Sequence, residues 1–242
     1  MAGRGAALVT GAARRIGRVL AASAAEAGYD VALHVRAVDD DAEAAAGEVR
    51  AQGRKARIVT CDLRKESETV ALVGEAEGEL GPVTLLVNCA SVFEEDAFAD
   101  MNRASWDLHM ETNLRAPLVL AQAFARRLPA DREGLIVNVL DQRVWRPRPD
   151  FFSYSLSKSA LWSATQMLAQ ALAPRIRVNG IGPGPSLPSI HQDQAAFDAE
   201  VAATLLRRPS SPQQMGAALR YLIDAEAVTG QMIAVDSGQH LS

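Results

Sequence analysis

Tyr154 and Lys158 stand four residues apart in the stretch 141–158, DQRVWRPRPDFFSYSLSK. The run from Phe152 onward reads as helix, and residues at i and i+4 share a helix face. A phenol and an ammonium can therefore point into one cleft. A nearby ammonium favours phenolate, so Lys158 is expected to lower the Tyr154 pKa from its reference near ~10. Such a phenol can give a proton to a substrate, or take one from it, near neutral pH. The same spacing also occurs where a half-buried aromatic lies beside a solvated charge, so its meaning depends on what the rest of the chain places around it.

The elements that must position this pair alternate along the whole chain. Short runs rich in Val, Ile and Leu at 6–10, 30–35, 56–60, 83–88, 134–140, 175–179 and 231–236 read as strands. Between them, 15–27, 39–52, 66–80, 104–128, 152–173 and 212–225 read as helices, with Gly28, Gly81-Pro82 and Pro174 as stops. Strand and helix in alternation predict a parallel sheet covered on both faces. Right-handed crossovers make it doubly wound, an α/β nucleotide-binding topology in one domain over 1–242.

At the end of the first strand, TGAARRIG (10–17) leads into the first helix. Gly11 permits a tight turn and Gly17 close helix–strand packing, which leaves the helix N-terminus facing a pyrophosphate. The strict G-x-G-x-x-G spacing is absent. The second strand ends in HVR, with Arg36 where an NAD site has an acidic residue for the ribose 2′-hydroxyl. Arginine matches a phosphate in bidentate geometry, and Arg14 and Arg18 can lie nearby, so NADP is expected over NAD. Asp39, Asp40 and Asp41 are read as caps of the second helix. Asp62 can accept from an adenine amino group, with Leu63 packed by the ring, or it can cap the next helix. After the fourth strand, Asn88-Cys89-Ala90-Ser91 supplies small residues where backbone approaches the cofactor.

The remaining composition narrows the class. The chain has 242 residues, 48% of them apolar, enough for one large core. A net charge of −4 argues against a general nucleic-acid surface. No apolar run approaches the ~20 residues of a membrane span. The first strand begins too early to leave room for a signal peptide, so a cytoplasmic enzyme is expected. Cys61 and Cys89 are expected as reduced thiols, and neither has metal-ligand neighbours. The helices at 104–128 and 152–173 carry apolar residues on more than one face, including Leu118, Leu161, Trp162 and Met167. Part of that surface is expected to bury against a partner.

TGAARRIG, CDL (61–63), NCAS (88–91), Asn113, Tyr154-x-x-x-Lys158 and RVNGIGPG (177–184) resemble, in order and spacing, the short-chain dehydrogenase/reductase family over nearly the whole chain. Within it the chain looks most like the pteridine reductases, including dihydromonapterin reductases. Arg15 stands where most members have glycine. Asp141, thirteen residues before Tyr154, stands where most have serine. Ser91-Val92-Phe93 and Gly184-Pro185-Ser186 resemble that group's A-S-x-F and G-x-S.

The resemblance implies an NADP(H)-dependent oxidoreductase, usually a homotetramer, with a dimer also open. Tyr154 would be the general acid, and Lys158 would hold the nicotinamide ribose. Asn113 would hold a water linking Lys158 to solvent, and Asp141 would orient Tyr154 and pass protons to it. Gly11, Arg14, Arg15, Ile16 and Gly17 would meet the cofactor phosphates. His34, Arg36, Asp62 and Leu63 would serve the adenosine end, and Asn88, Ala90, Pro183, Gly184 and Ser186 the nicotinamide side. Arg15, Ser91, Phe93, Asp141 and Tyr154 would bind substrate, with Phe93 stacking a pterin against the nicotinamide. The alternative for Phe93 is core, and for Asp141 a helix cap. Trp145, Phe151 and Phe152 are candidates for the same pocket, and Arg143, Arg146 and Arg148 are read as solvated. Two further readings stand beside pterin reduction: reduction of a ketone, aldehyde or sugar carbonyl, and cofactor binding without turnover by a regulator.

Overall fold

The apolar runs are buried on both faces, and alternation along each strand sorts their side chains between two cores. In β1 (Ala6–Thr10), Ala7 and Val9 join Leu20, Leu33, Leu85, Met215 and Leu219 on one side. Ala6 and Leu8 join Leu72, Leu86, Leu120, Phe124 and Ile136 on the other. The computed structural model describes residues 4–189 and 192–242. The other strands are β2 (Asp30–Val35), β3 (Ala56–Thr60), β4 (Val83–Asn88), β5 (Gly134–Val139), β6 (Ile176–Pro183) and β7 (Met232–Val235). They form one seven-stranded sheet in the order β3-β2-β1-β4-β5-β6-β7, every neighbouring pair parallel. The order reverses direction beside β1, so the crevice at the carboxyl ends of β1 and β4 is where such a sheet takes a ligand.

Helices α1 (Arg15–Glu26), α2 (Asp40–Ala51) and α3 (Glu66–Glu77) follow the first three strands as the periodicity predicts. The predicted helix at 104–128 is divided. It consists of α4 (Arg103–Met110), a π-helical turn (Glu111–Arg115) and α5 (Ala116–Arg127). A π turn widens the helix locally and re-aims one side chain; here the turn holds Asn113. Then come α6 (Phe152–Leu172), α7 (Gln194–Ala202) and α8 (Pro212–Asp224). The sequence reading has no helix at α7, because only Phe197 of its nine residues is buried and no apolar stripe marks it.

Strand β6 runs four residues beyond the predicted end, through Gly180-Ile181-Gly182-Pro183. Glycine weakens a strand pattern in sequence, but here it lets neighbouring side chains pack close against the strand. A Cβ on Gly180 would lie 2.4 Å from Leu140 Cδ1, and one on Gly182 2.8 Å from Met232 Sδ. Of the apolar residues spread over the faces of α6, Leu161 is core, packed with Leu140 and Met232. Met167 on the same helix is 67% exposed.

Candidate active site

Two loops meet at the carboxyl edge of the sheet because Thr10 pins them. Its hydroxyl accepts from the backbone N–H of Cys89 (2.9 Å) and of Ala90 (3.0 Å). The approach is close enough that a Cβ on Gly11 would lie 3.0 Å from Ala90 Cα, and Gly11 has φ +66°. A Cβ on Gly17 would lie 2.1 Å from the Gly11 carbonyl oxygen. Only glycine fits either place. Arg14, at the cap position of α1, makes no side-chain cap bond, and the first turn holds no acidic residue. The first N–H groups of α1 are thus left for an anion.

Two of the residues expected at the cofactor, His34 and Asn88, have buried side chains. His34, 3% exposed, accepts from Gly11 N–H at Nδ1 (3.4 Å) and donates from Nε2 to the Cys61 carbonyl (3.2 Å). Burial pushes its pKa down, which keeps the ring neutral for that pattern. Asn88, also 3% exposed, donates to Asn138 Oδ1 (2.8 Å) and ties β4 to β5. Both shape the loops from behind.

The charged groups at the adenosine end separate by partner. Arg14 pairs with Asp39 (2.6 Å) and Asp41, and Arg18 forms a two-bond pair with Glu48. Asp39 also caps α2 by accepting from Ala42 N–H (2.9 Å). Arg36 is exposed at the end of β2 and makes no hydrogen bond or ion pair among the described residues. Asp62, at the end of β3, is held in a two-bond pair by Arg64, which pulls its pKa down to about 2. Leu63 beside it is buried.

Tyr154 and Lys158 lie on the buried side of α6, 6% and 2% exposed. The Tyr154 hydroxyl donates to Asp141 Oδ2 at 2.7 Å. Asp141 Oδ1 accepts from Arg143 N–H at 2.8 Å and so caps the short 3-10 turn Gln142–Val144. The carboxylate is both cap and partner of the phenol. The expectation that Lys158 lowers the phenol pKa is corrected here. Lys158 Nζ donates to the Val139 carbonyl (2.8 Å) and lies 5.8 Å from the Tyr154 ring centre. Burial, then the charge and hydrogen bond of Asp141, push Tyr154 well above its ordinary value. Burial also raises Asp141, against the hydrogen bonds from Arg143 and Tyr154, and lowers Lys158 to about 8.

Asn113 points from the π turn into the loop after β4. Its Oδ1 accepts from Val92 N–H (2.8 Å) and Ser91 Oγ (3.2 Å); its Nδ2 donates to the Val92 carbonyl (2.9 Å) and Ser157 Oγ (3.2 Å). Two bonds at each end use its hydrogen-bonding capacity. The side chain therefore pins the loop, and none of its four bonds goes to Lys158.

That loop presents Phe93, whose ring stacks on Phe151 (4.1 Å between centres, 10°) and meets Tyr154 edge-on (4.7 Å, 81°). Phe151 has a left-handed backbone, φ +52°, and Arg143 lies over its ring at 5.4 Å. Arg143, expected in solvent, has a side chain only 15% exposed and pairs with Asp150 (3.0 Å). Arg148 and Arg146 are exposed, as expected. Of the three neighbouring aromatics, Phe151 lines the cleft; Trp145 packs on His240 and Trp162, and Phe152 on Phe98.

Arg15, with φ +50°, reaches across to the carbonyls of Pro188 (2.9 Å) and Leu187 (3.3 Å). It ties the nucleotide turn to the segment after Ser186, whose hydroxyl donates to the Gly184 carbonyl (3.1 Å). The cleft among these residues measures about 820 Å³, and Ile16, Gly17, Ala90, Pro183 and Gly184 line it as well. Its far wall was not foreseen. Glu200 of α7 accepts from Gln192 (2.9 Å) and Gln239 (2.7 Å), joining three parts of the chain that no motif links.

The cleft, the paired loops and the Tyr–Lys helix recur in known proteins. A crystal structure of FolM alternative dihydrofolate reductase 1 from Brucella canis, complexed with NADP, superposes with a TM-score of 0.95 at 45% identity, covering 100% of this chain and 96% of that one. The Brucella suis counterpart, also with NADP, gives 0.95 at 46%, covering 100% and 97%. Among curated proteins, a 3-oxoacyl-[acyl-carrier-protein] reductase FabG from Staphylococcus epidermidis is 29% identical over 97% of this chain and 98% of its own. The sequence model described as short chain dehydrogenase matches residues 5–198. With that match over most of its length, the chain belongs to the short-chain dehydrogenase family and is an oxidoreductase.

Proposed function

We propose that this enzyme uses NADPH to reduce a dihydropterin-type substrate, with Tyr154 as proton donor and Asp141 as the source that recharges it. The observation that carries the reading is the 2.7 Å bond between Tyr154 and Asp141 in a cleft where burial raises the carboxyl pKa. A ring C=N needs a proton at nitrogen as well as a hydride at carbon. A carboxyl held toward its protonated form turns the bond round: Asp141 then donates to the phenol oxygen, and the Tyr154 hydrogen faces the substrate. Tyr154 gives its proton to the ring nitrogen, takes one from Asp141, and Asp141, which is partly open to the cleft, is reprotonated from water.

The residues fit the cofactor. Gly11 and Gly17 let the turn pack tightly against Ala90 and itself, and the first turn of α1 has N–H groups to offer a pyrophosphate. Arg36 makes no ion pair among the described residues and is suited to a 2′-phosphate. Asp62 and Leu63 would flank the adenine, and Lys158 would hold the ribose. When bound, the cofactor supplies the hydride. Ser91, Phe93 and Arg15 line the substrate side. The similarity to the two FolM enzymes supports the pterin reading, and the weaker similarity to the 3-oxoacyl reductase supports a carbonyl substrate.

The test is NADPH oxidation measured side by side on dihydropterins, dihydrofolate, a 3-oxoacyl thioester and simple ketones. Turnover confined to the last two would replace the pterin reading with the carbonyl one. NADPH binding with no turnover on any of them would point to the regulatory alternative.

A further inference from the structure

Behind the cleft lies a buried polar cluster that the reaction chemistry above does not use. Asp96, Ser153 and His109 are 6%, 0% and 0% exposed. They come from the loop after β4, the first turn of α6 and helix α4. Asp96 acts as a remote cap for α6. Its Oδ1 accepts from Ser153 N–H (2.9 Å), its Oδ2 accepts from the Ser153 hydroxyl, and its main-chain carbonyl accepts from Phe152 N–H (3.0 Å). Phe151, at the cap position, provides no side-chain cap of its own. A carboxylate here satisfies orphan N–H groups and suits the positive end of the helix.

His109 completes the cluster. Its Nε2 accepts from Glu94 N–H (3.1 Å), which puts the ring proton on Nδ1. Nδ1 then donates to Ser153 Oγ (2.7 Å), whose own hydrogen goes to Asp96. Ser105, on the same helix as His109, also reaches the cluster, its backbone facing His109 and its side chain facing Asp96. Burial lowers the His109 pKa, which preserves the neutral ring this pattern needs. The ring also meets Tyr154 edge-on, 6.1 Å between centres. Glu94 follows Phe93, and Ser153 precedes Tyr154.

We propose that Asp96, Ser153 and His109 are positioning residues for the reaction, coupling the loop that presents Phe93 to the helix turn that presents Tyr154 so that the two rings keep one relative geometry. Asn113 holds the loop at Ser91 and Val92, and this cluster holds it at Glu94 and Asp96. The ring of Phe93 is thereby clamped from both sides. The coupling requires an enzyme with Tyr154 as donor, and it holds whether the substrate is a pterin or a carbonyl.

Two substitutions of His109 separate the two links. His109→Gln places an amide oxygen near the Nε2 position, keeping an acceptor for Glu94 N–H and losing the bond to Ser153. His109→Asn keeps a donor near Nδ1 and loses the acceptor for Glu94. With whichever substrate the panel identifies, His109→Gln should lower kcat about tenfold with KM retained, and His109→Asn should raise KM about tenfold with kcat retained, the range expected for one buried hydrogen bond. NADPH affinity, measured by fluorescence, should not change in either. Equal losses in both variants that follow only the melting temperature would make the cluster merely structural and overturn the proposal, as would unchanged kinetics. If the variants do not fold, amide hydrogen exchange on the parent protein decides. The Glu94 and Ser153 amides should exchange together at one rate; clearly separate rates would refute the coupling.

Discussion

Replacing Asp141 with asparagine removes the ionisable proton and leaves the side-chain shape nearly unchanged. In the parent, Oδ2 takes the Tyr154 hydrogen bond and Oδ1 the Arg143 N–H. Asparagine keeps an acceptor for Arg143, so the 3-10 turn should survive. Its amide then donates to the phenol oxygen and cannot pass on a proton. A hydrogen bond to a charged group contributes about 1.5–3 kcal/mol, and a positioned proton donor about 10²–10⁴ in rate. Pterin turnover by Asp141→Asn should therefore fall about a hundredfold or more, while NADPH binding is retained. Stability should move the other way. Burial raises the folded-state pKa of Asp141 above its unfolded value, so the stability linked to its proton is full below the ordinary carboxylate range and is lost as pH rises through the folded pKa. Asparagine avoids that loss, so Asp141→Asn should melt higher than the parent at pH 8, and the gap should close toward pH 4. The assays are stopped-flow NADPH oxidation and thermal melts across pH. Pterin turnover unchanged in Asp141→Asn, with an unchanged melting curve at pH 8, would show that the carboxylate is only a cap.

Tyr154→Phe keeps the ring and its edge contact with Phe93 and should lose about 10²–10⁴ in turnover with NADPH affinity intact by fluorescence titration; retained turnover would remove Tyr154 from the mechanism. Arg36→Asp should cost about tenfold to a hundredfold in NADPH affinity through loss of one charge-assisted contact and shift preference to NADH, and a parent enzyme that prefers NADH would contradict the assignment of Arg36. Lys158, lowered to about 8 by burial, should lose its charge as pH rises through that value, so NADPH affinity should weaken between pH 7 and 9 in the parent and not in Lys158→Ala. The family resemblance implies a homotetramer, and the 67% exposed Met167 on α6 is a candidate contact; Met167→Glu should dissociate it in light scattering, and a parent that is monomeric at micromolar concentration would refute the assembly.

The sequence by itself determines the seven strands and their parallel pairing, because short continuous apolar runs and strand–helix alternation are local patterns. It also determines Gly11, Gly17 and the Tyr154–Lys158 pair, whose spacings lie within one turn or one helix. The tertiary structure decides what depends on meetings between distant segments. Thr10 becomes the pin of two loops only because β1 and β4 are neighbours. Arg14 is taken by Asp39 and Asp41, while Arg36, with the same charge, has no such partner among the described residues. The phenol pKa rises because burial, and then Asp141, act on Tyr154, while the lysine four residues away turns to a strand carbonyl. Glu200 and Gln239 reach the cleft from α7 and the C-terminal turn. The physical reason is the same in each case. Local propensity and spacing are written in adjacent residues, but hydrogen-bond partners, burial and the pKa values that follow from them belong to pairs brought together only by the packed sheet.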